Sequence, residues 1–221
     1  MQLRMRSNTR IAALAASATL AMLSATAPIA SAANAPGLIP GAPGPTVNVD
    51  IQAPSPVNFV AAQAASDVET FWVQRLPGFV PPNLYAALPA PVPDHVCLSQ
   101  LSIARFCSGE IAWDVPDIEA IDARGGALAV VTVFAHEMGH QIQAFRGVPA
   151  SELGADCMAG VYLTSIVDGL SPRFTGTPDE MDAAIFSTFY TTRNDAIPAR
   201  VAAFAAGRGG TADGCLAAYP E

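Results

Sequence analysis

Two of the chain's 3 histidines lie four residues apart in Ala135-His136-Glu137-Met138-Gly139-His140. On an α-helix that spacing places both imidazoles on one face, about one turn apart. Neutral imidazoles so placed can bind one Zn²⁺, each at about 2.0–2.1 Å. Glu137 then lies beside the ion, where a carboxylate can take a proton from a water the metal has acidified. The pattern predicts a metallohydrolase with His136 and His140 as ligands and Glu137 as general base. H-E-x-x-H also occurs by chance, so neighbouring elements must supply the rest of a site.

A catalytic zinc takes three protein ligands and keeps a further position open. Carboxylates at the right spacing follow in Ser151-Glu152-Leu153-Gly154-Ala155-Asp156-Cys157, where Glu152 and Asp156 are again four apart. The turn Val148-Pro149-Ala150-Ser151 is short, so two helices joined by it are antiparallel neighbours. Counting from that turn, His140 is level with Glu152 and His136 with Asp156. Glu152 therefore completes a His136, His140, Glu152 set, and Asp156 can accept the other ring N–H of His136. The exchange, with Asp156 as ligand, fits these levels less well. Gly139 is expected to leave room beside the metal, and Gly154 to ease helix approach.

The motif must therefore be helical. By composition alone Ala127–Ala135 suits a buried strand, because β-branched residues dominate. The apolar pattern runs on through Ile142 and Phe145, which is long for a strand. On a strand the two histidines would also be about 13 Å apart. We expect one buried helix over 128–145 with Gly147 as its C-cap, and a second over 151–167 with Ser151 as N-cap.

Upstream, Val60, Ala64, Val68, Phe71, Trp72 and Leu76 mark one face of an amphipathic helix over 58–76. Pro81-Pro82-Asn83 through Pro93 reads as a long irregular connection. Short strands are expected at 96–98, 106–107 and 110–114, the last two joined by Ser108-Gly109. Position alone makes the strand at 110–114 the candidate for pairing with substrate backbone. Helices over 178–191 and 197–206 and an irregular tail complete an α+β domain, mainly helical with a small sheet. His95, the remaining histidine, reads as a surface or packed residue.

The first 32 residues read as an export signal: Arg4, Arg6 and Arg10, an uncharged apolar run, then Ala30-Ser31-Ala32. The competing reading is a retained membrane anchor. Residues 33–57, rich in Pro and Gly, read as a linker, with one strand possible within 46–51. The domain is expected over 58–221. All 11 basic residues are Arg, against 19 acids and a net charge of −8. Three of those Arg fall in the signal, so the exported chain is more acidic still, which argues against nucleic acid and anionic membrane partners. The 4 cysteines, Cys97, Cys107, Cys157 and Cys215, suggest two disulfides in an oxidising compartment. Spacing does not choose among three connectivities; Cys97–Cys107 with Cys157–Cys215 is the pattern favoured.

The stretches Val133-Phe134-Ala135-His136-Glu137-Met138-Gly139-His140-Gln141-Ile142-Gln143 and Glu152-Leu153-Gly154-Ala155-Asp156-Cys157-Met158-Ala159-Gly160 resemble the bacterial neutral zinc metallopeptidase family. They match its H-E-x-G-H-x-x-Q and E-L-x-A-D-C-x-A-G. Phe106 to Asp114, and Arg200-Val201 with Phe204 through Cys215, are weaker matches. The resemblance covers about 60–215 and implies a zincin-like fold, zinc on His136, His140 and Glu152, and Glu137 as base. It also supports pairing Cys157 with Cys215. The chain departs from the family in lacking a histidine across Phe189–Pro198. A substitute for that histidine at an oxyanion would be Tyr190, Arg193 or His95. The expected function is an exported zinc endopeptidase acting on peptides or proteins. The alternative is an inert zinc-binding or interaction domain of the same fold in the cell envelope.

Overall fold

In the computed structural model the described residues are 35–87, 103–189 and 197–220. The expected signal, the strand at 96–98, His95, Cys97, Tyr190 and Arg193 lie outside them. Helices dominate: α1 (Val57–Arg75), α2 (Val115–Arg146), α3 (Glu152–Val167), α4 (Pro178–Phe189), α5 (Ile197–Gly207) and α6 (Ala212–Ala218). Strands β1 (Val49–Ile51), β2 (Asn83–Ala87), β3 (Ala104–Cys107) and β4 (Glu110–Asp114) form one sheet in the order β1-β2-β4-β3. The architecture is α+β. None of the described helices is long and apolar enough to cross a membrane.

The sheet differs from expectation in three ways. β1, β2 and β4 run parallel, with Leu84 opposite Ile111 and Val49 opposite Leu84. β2 thus lies in the stretch read as irregular, while β1 falls within 46–51, where one strand is possible from the sequence. Leu38, from the linker, is buried at 6% and bridges to Phe174. The described part of the linker is docked rather than a free spacer. Third, β4 sits between β2 and β3 with both edges hydrogen-bonded. It has no edge left for substrate, which overturns the expected pairing there. Among the described residues the sheet ends instead on β3, antiparallel to β4 through Ser108 (φ 51) and Gly109 (φ 82), the paired positive φ of a tight hairpin turn.

α2 carries the motif, and its start was not anticipated. Pro116 occupies the first turn of the helix, where its missing N–H costs nothing. The Asp114 side chain caps that turn by accepting the Asp117 N–H at 3.1 Å. Gly126 (φ 64, ψ −167) then kinks the helix. At the kink the Pro36 carbonyl accepts the Ala127 N–H at 3.1 Å, so the docked N-terminal segment caps the motif-bearing half. From Ala127 to Gly139 every residue is buried, as expected of a helix that is apolar all round. Trp113 fixes β4 to that half, its ring edge-on to Phe134 at 5.1 Å and its indole N–H donating to Asn58 of α1 at 3.3 Å.

α2 ends on Gly147 (φ 67), and Ser151 caps α3 by accepting the Gly154 N–H at 3.2 Å. The two helices touch closely at Gly139, where a Cβ would lie 2.7 Å from the Ala155 Cα. Gly139 therefore serves helix approach rather than space beside a metal. Gly154 makes room for the Gln143 amide, 2.6 Å from where its Cβ would be. The tail also holds α6, capped by Thr211, whose hydroxyl accepts the Gly214 N–H at 3.1 Å. Cys215 of α6 is disulfide-bonded to Cys157 of α3. Cys107 is disulfide-bonded too; its expected partner, Cys97, lies outside the described residues.

Candidate metal centre

The α2–α3 hairpin brings His136, His140 and Glu152 together, one ligand atom from each within 4.8 Å of the others. The His136 Nε2 is 3.3 Å from Glu152 Oε2, and the His140 Nε2 is 3.4 Å from Glu152 Oε1. Charge-assisted hydrogen bonds are shorter than this, at about 2.7–2.9 Å. Two ligands held tetrahedrally at about 2.0–2.1 Å from one zinc stand about 3.3–3.4 Å apart.

The far side of each ring is already engaged. His136 Nδ1–H donates to Asp156 Oδ1 at 2.7 Å, and His140 Nδ1–H to Gln143 Oε1 at 2.9 Å. Both acceptors are oxygens, so both protons belong on Nδ1, and in the neutral rings the Nε2 lone pairs point at the Glu152 carboxylate. Lone pairs facing carboxylate oxygens repel unless a cation lies between them. The donor set thus fits a divalent metal. Among the described residues no further His, Cys, Asp or Glu joins the group.

Without a metal, a proton fills the gap. Burial disfavours a charged His136 ring, but hydrogen bonds to Asp156 and Glu152 outweigh it and push the imidazole up to about 10. The same contacts with His136 and His140 hold Glu152 well below the usual carboxylate range. Metal binding must therefore displace a proton.

Glu137 lies on the same helix, buried at 7%, and its Oε2 accepts the Phe106 N–H of β3 at 2.7 Å. Over these groups opens a cleft of about 550 Å³, walled by Phe106, Val133, Ala144, Val148, Thr188 and Phe189. The Glu152 side chain is 65% exposed, so the carboxylate closes the site from the solvent side while His136 holds it from within.

Two partners were not anticipated as such. Gln143 takes the His140 Nδ1–H and the Ser151 N–H on one oxygen, while its amide donates to the Ser151 carbonyl at 2.8 Å. It pins the ligand ring to the start of α3. Its position three residues after His140, on the same helix face, is the signal that points to it. Arg200 of α5 donates from Nε and Nη2 to the two Asp156 oxygens at 2.7 and 2.8 Å. It is the one charged residue in Ile197–Gly207, and a lone cation in an apolar helix calls for a buried partner. No family model, curated protein or solved structure matches the chain, so the functional reading rests on this geometry and on the motifs.

Proposed function

We propose that the chain is an exported zinc-dependent endopeptidase of zincin-like fold, acting on extended peptide or protein substrates. The observation that carries this reading is the convergence of two imidazole Nε2 atoms and the Glu152 carboxylate at 3.3–3.4 Å, beneath an open cleft, with Glu137 beside them. When bound there, zinc supplies Lewis acidity to a scissile carbonyl and lowers the pKa of a water towards about 7. Glu137 accepts the proton of the attacking water and delivers it to the leaving amine. Its Oε2 is fixed by Phe106 N–H, which leaves Oε1 for that transfer. Asp156 and Gln143 keep the two ligand rings in the tautomer that presents Nε2.

β3 supports an extended substrate. Cys107 and Glu110 flank the two-residue turn, so Phe106 and Ala104 fall on the non-hydrogen-bonded pairs with Ile111 and Trp113. Their backbone groups point away from β4; Glu137 takes the Phe106 N–H, and the Phe106 carbonyl with the Ala104 N–H and carbonyl make up the rest of that edge. Ala104 and Phe106 also line the cleft, so an extended chain can pair there beside Glu137. The disulfide at Cys157–Cys215 is compatible with an oxidising compartment, and the acidic, Lys-free composition disfavours nucleic acid. The test is Glu137→Gln: we expect zinc to be retained at one per chain while hydrolysis of an unfolded protein falls by about 10²–10⁴-fold. Full activity in that variant removes Glu137 from the chemistry.

A further inference from the structure

We infer that Arg200 is a positioning residue of the metal centre, acting on His136 through Asp156. This rests on the metal-site reading proposed above. Asp156 is fully buried, at 0% exposure, and such a charge needs a partner with matching geometry. Arg200 is that partner: its fork closes on both carboxylate oxygens at 2.7 and 2.8 Å. Its Nη2 also lies 3.2 Å from His136 Nδ1. The nearer Asp156 Oδ1, at 2.7 Å, can only accept, so the Nδ1 proton goes there and Asp156 fixes the tautomer, while Arg200 acts by holding Asp156 in place. The guanidinium is held from its other face by Phe189 of α4, its carbon 3.9 Å above the ring centroid. A planar fork clamped between an aromatic face and a carboxylate is a role for Arg that Lys does not reproduce.

The fold places this clamp rigidly. α3 and α5 meet backbone to backbone at Gly160, where a Cβ would run into the Phe204 carbonyl, and at Gly207, where one would run into the Cys157 carbonyl. The Gly160–Phe204 and Gly207–Cys157 contacts hold α5 close enough to α3 for the long Arg200 side chain to reach Asp156. Arg200 Nη2 also lies 3.6 Å from Glu152 Oε2, so its charge sits beside two carboxylates of the centre while its side chain lines the cleft.

The test is a double-mutant cycle on zinc affinity, measured on the full chain by competition with a chromophoric chelator. Arg200→Met is expected to weaken zinc about 10–100-fold, Asp156→Asn by a similar factor, and the double variant no more than Asp156→Asn alone. Arg200→Lys recovers part of the loss. The visible absorption of the Co²⁺-loaded Arg200→Met chain shifts, because the His136 ring is no longer fixed. Should Arg200→Met fail to fold around its stranded Asp156 charge, Arg200→Lys and the double variant, which strands none, carry the comparison. Wild-type affinity in the Arg200 variants, or losses that multiply in the double variant, overturns the role of Arg200 alone. A wild-type chain that takes up no zinc overturns the metal centre itself.

Discussion

Two buried Arg–carboxylate pairs lie against α3, one at Tyr162 and one at Asp156, and do different work. In the first, Asp67 of α1 accepts the Tyr162 hydroxyl at 2.8 Å and the Ser171 hydroxyl at 2.6 Å, with Arg173 Nη1 at 3.5 Å. Arg173 spends its other donors on Gln63 and the Gly44 carbonyl. Both side chains are almost wholly buried, every contact is internal, and the cluster ties α1, α3 and the docked N-terminal segment together. Burial and the Asp67 charge push the Tyr162 phenol well up, so it stays a neutral donor. In the second, Asp156 and Arg200 use the same chemistry, yet the carboxylate passes its hold to a histidine and the guanidinium lines a cleft. A closed pair fixes the fold; a pair open on one side orients a site.

Breaking each pair should therefore register in different measurements. Removing Arg173 by Arg173→Met leaves Asp67 without its cation and should cost about 3–5 kcal/mol of stability, seen as a lowered denaturation midpoint. Its zinc affinity should stay at wild type; a tenfold loss of zinc binding would erase the distinction between the two pairs. The Cys157–Cys215 bridge spans 58 residues, and closing a loop of that length is worth about 4 kcal/mol. Replacing both cysteines by Ala should lower the unfolding free energy by about that amount. An unchanged midpoint would mean that packing alone holds α6 against α3.

A smaller effect belongs to the site. Asp156→Asn keeps the shape but halves the charge logic, and should weaken zinc about 10–100-fold with little change in fold. If stability falls as much as in Arg173→Met while zinc affinity holds, Asp156 is structural after all. The smallest signal is a proton count. Metal-free His136 is pushed up to about 10, so it carries a proton at pH 7 that zinc must displace. Calorimetry in buffers of differing ionisation enthalpy should show about one proton released per zinc at pH 7, declining as the pH approaches 10. The metal-free chain draws stability from this imidazolium fully below about pH 6.5 and loses it as the pH rises towards 10. The zinc-loaded chain should lack that decline.

What could be read from the residues follows a physical division. The α2–α3 hairpin was readable because helical spacing, a short turn, Gly147 and Ser151 are all local signals. From these the level of Glu152 with His140 and of Asp156 with His136 could be counted. The sheet was not readable in the same way. Asn83-Leu84-Tyr85-Ala86-Ala87 follows two prolines and is poor in β-branched residues, so only pairing with β4 makes it a strand. β1 depends in turn on β2. That β4 is internal and β3 the edge is a property of the assembled sheet and is absent from either segment. Pro116 carries two meanings, strand stop and helix start, and the Asp114 cap decides between them. Arg200 lies 44 residues from Asp156, a distance across which spacing arguments have no reach.

The most direct test of the account is cleavage of a generic unfolded protein by the chain loaded with one zinc. The account predicts proteolysis that a chelator stops and added zinc restores. One firmly bound zinc per chain with no cleavage of any unfolded substrate would contradict it and leave a metal-binding domain without turnover.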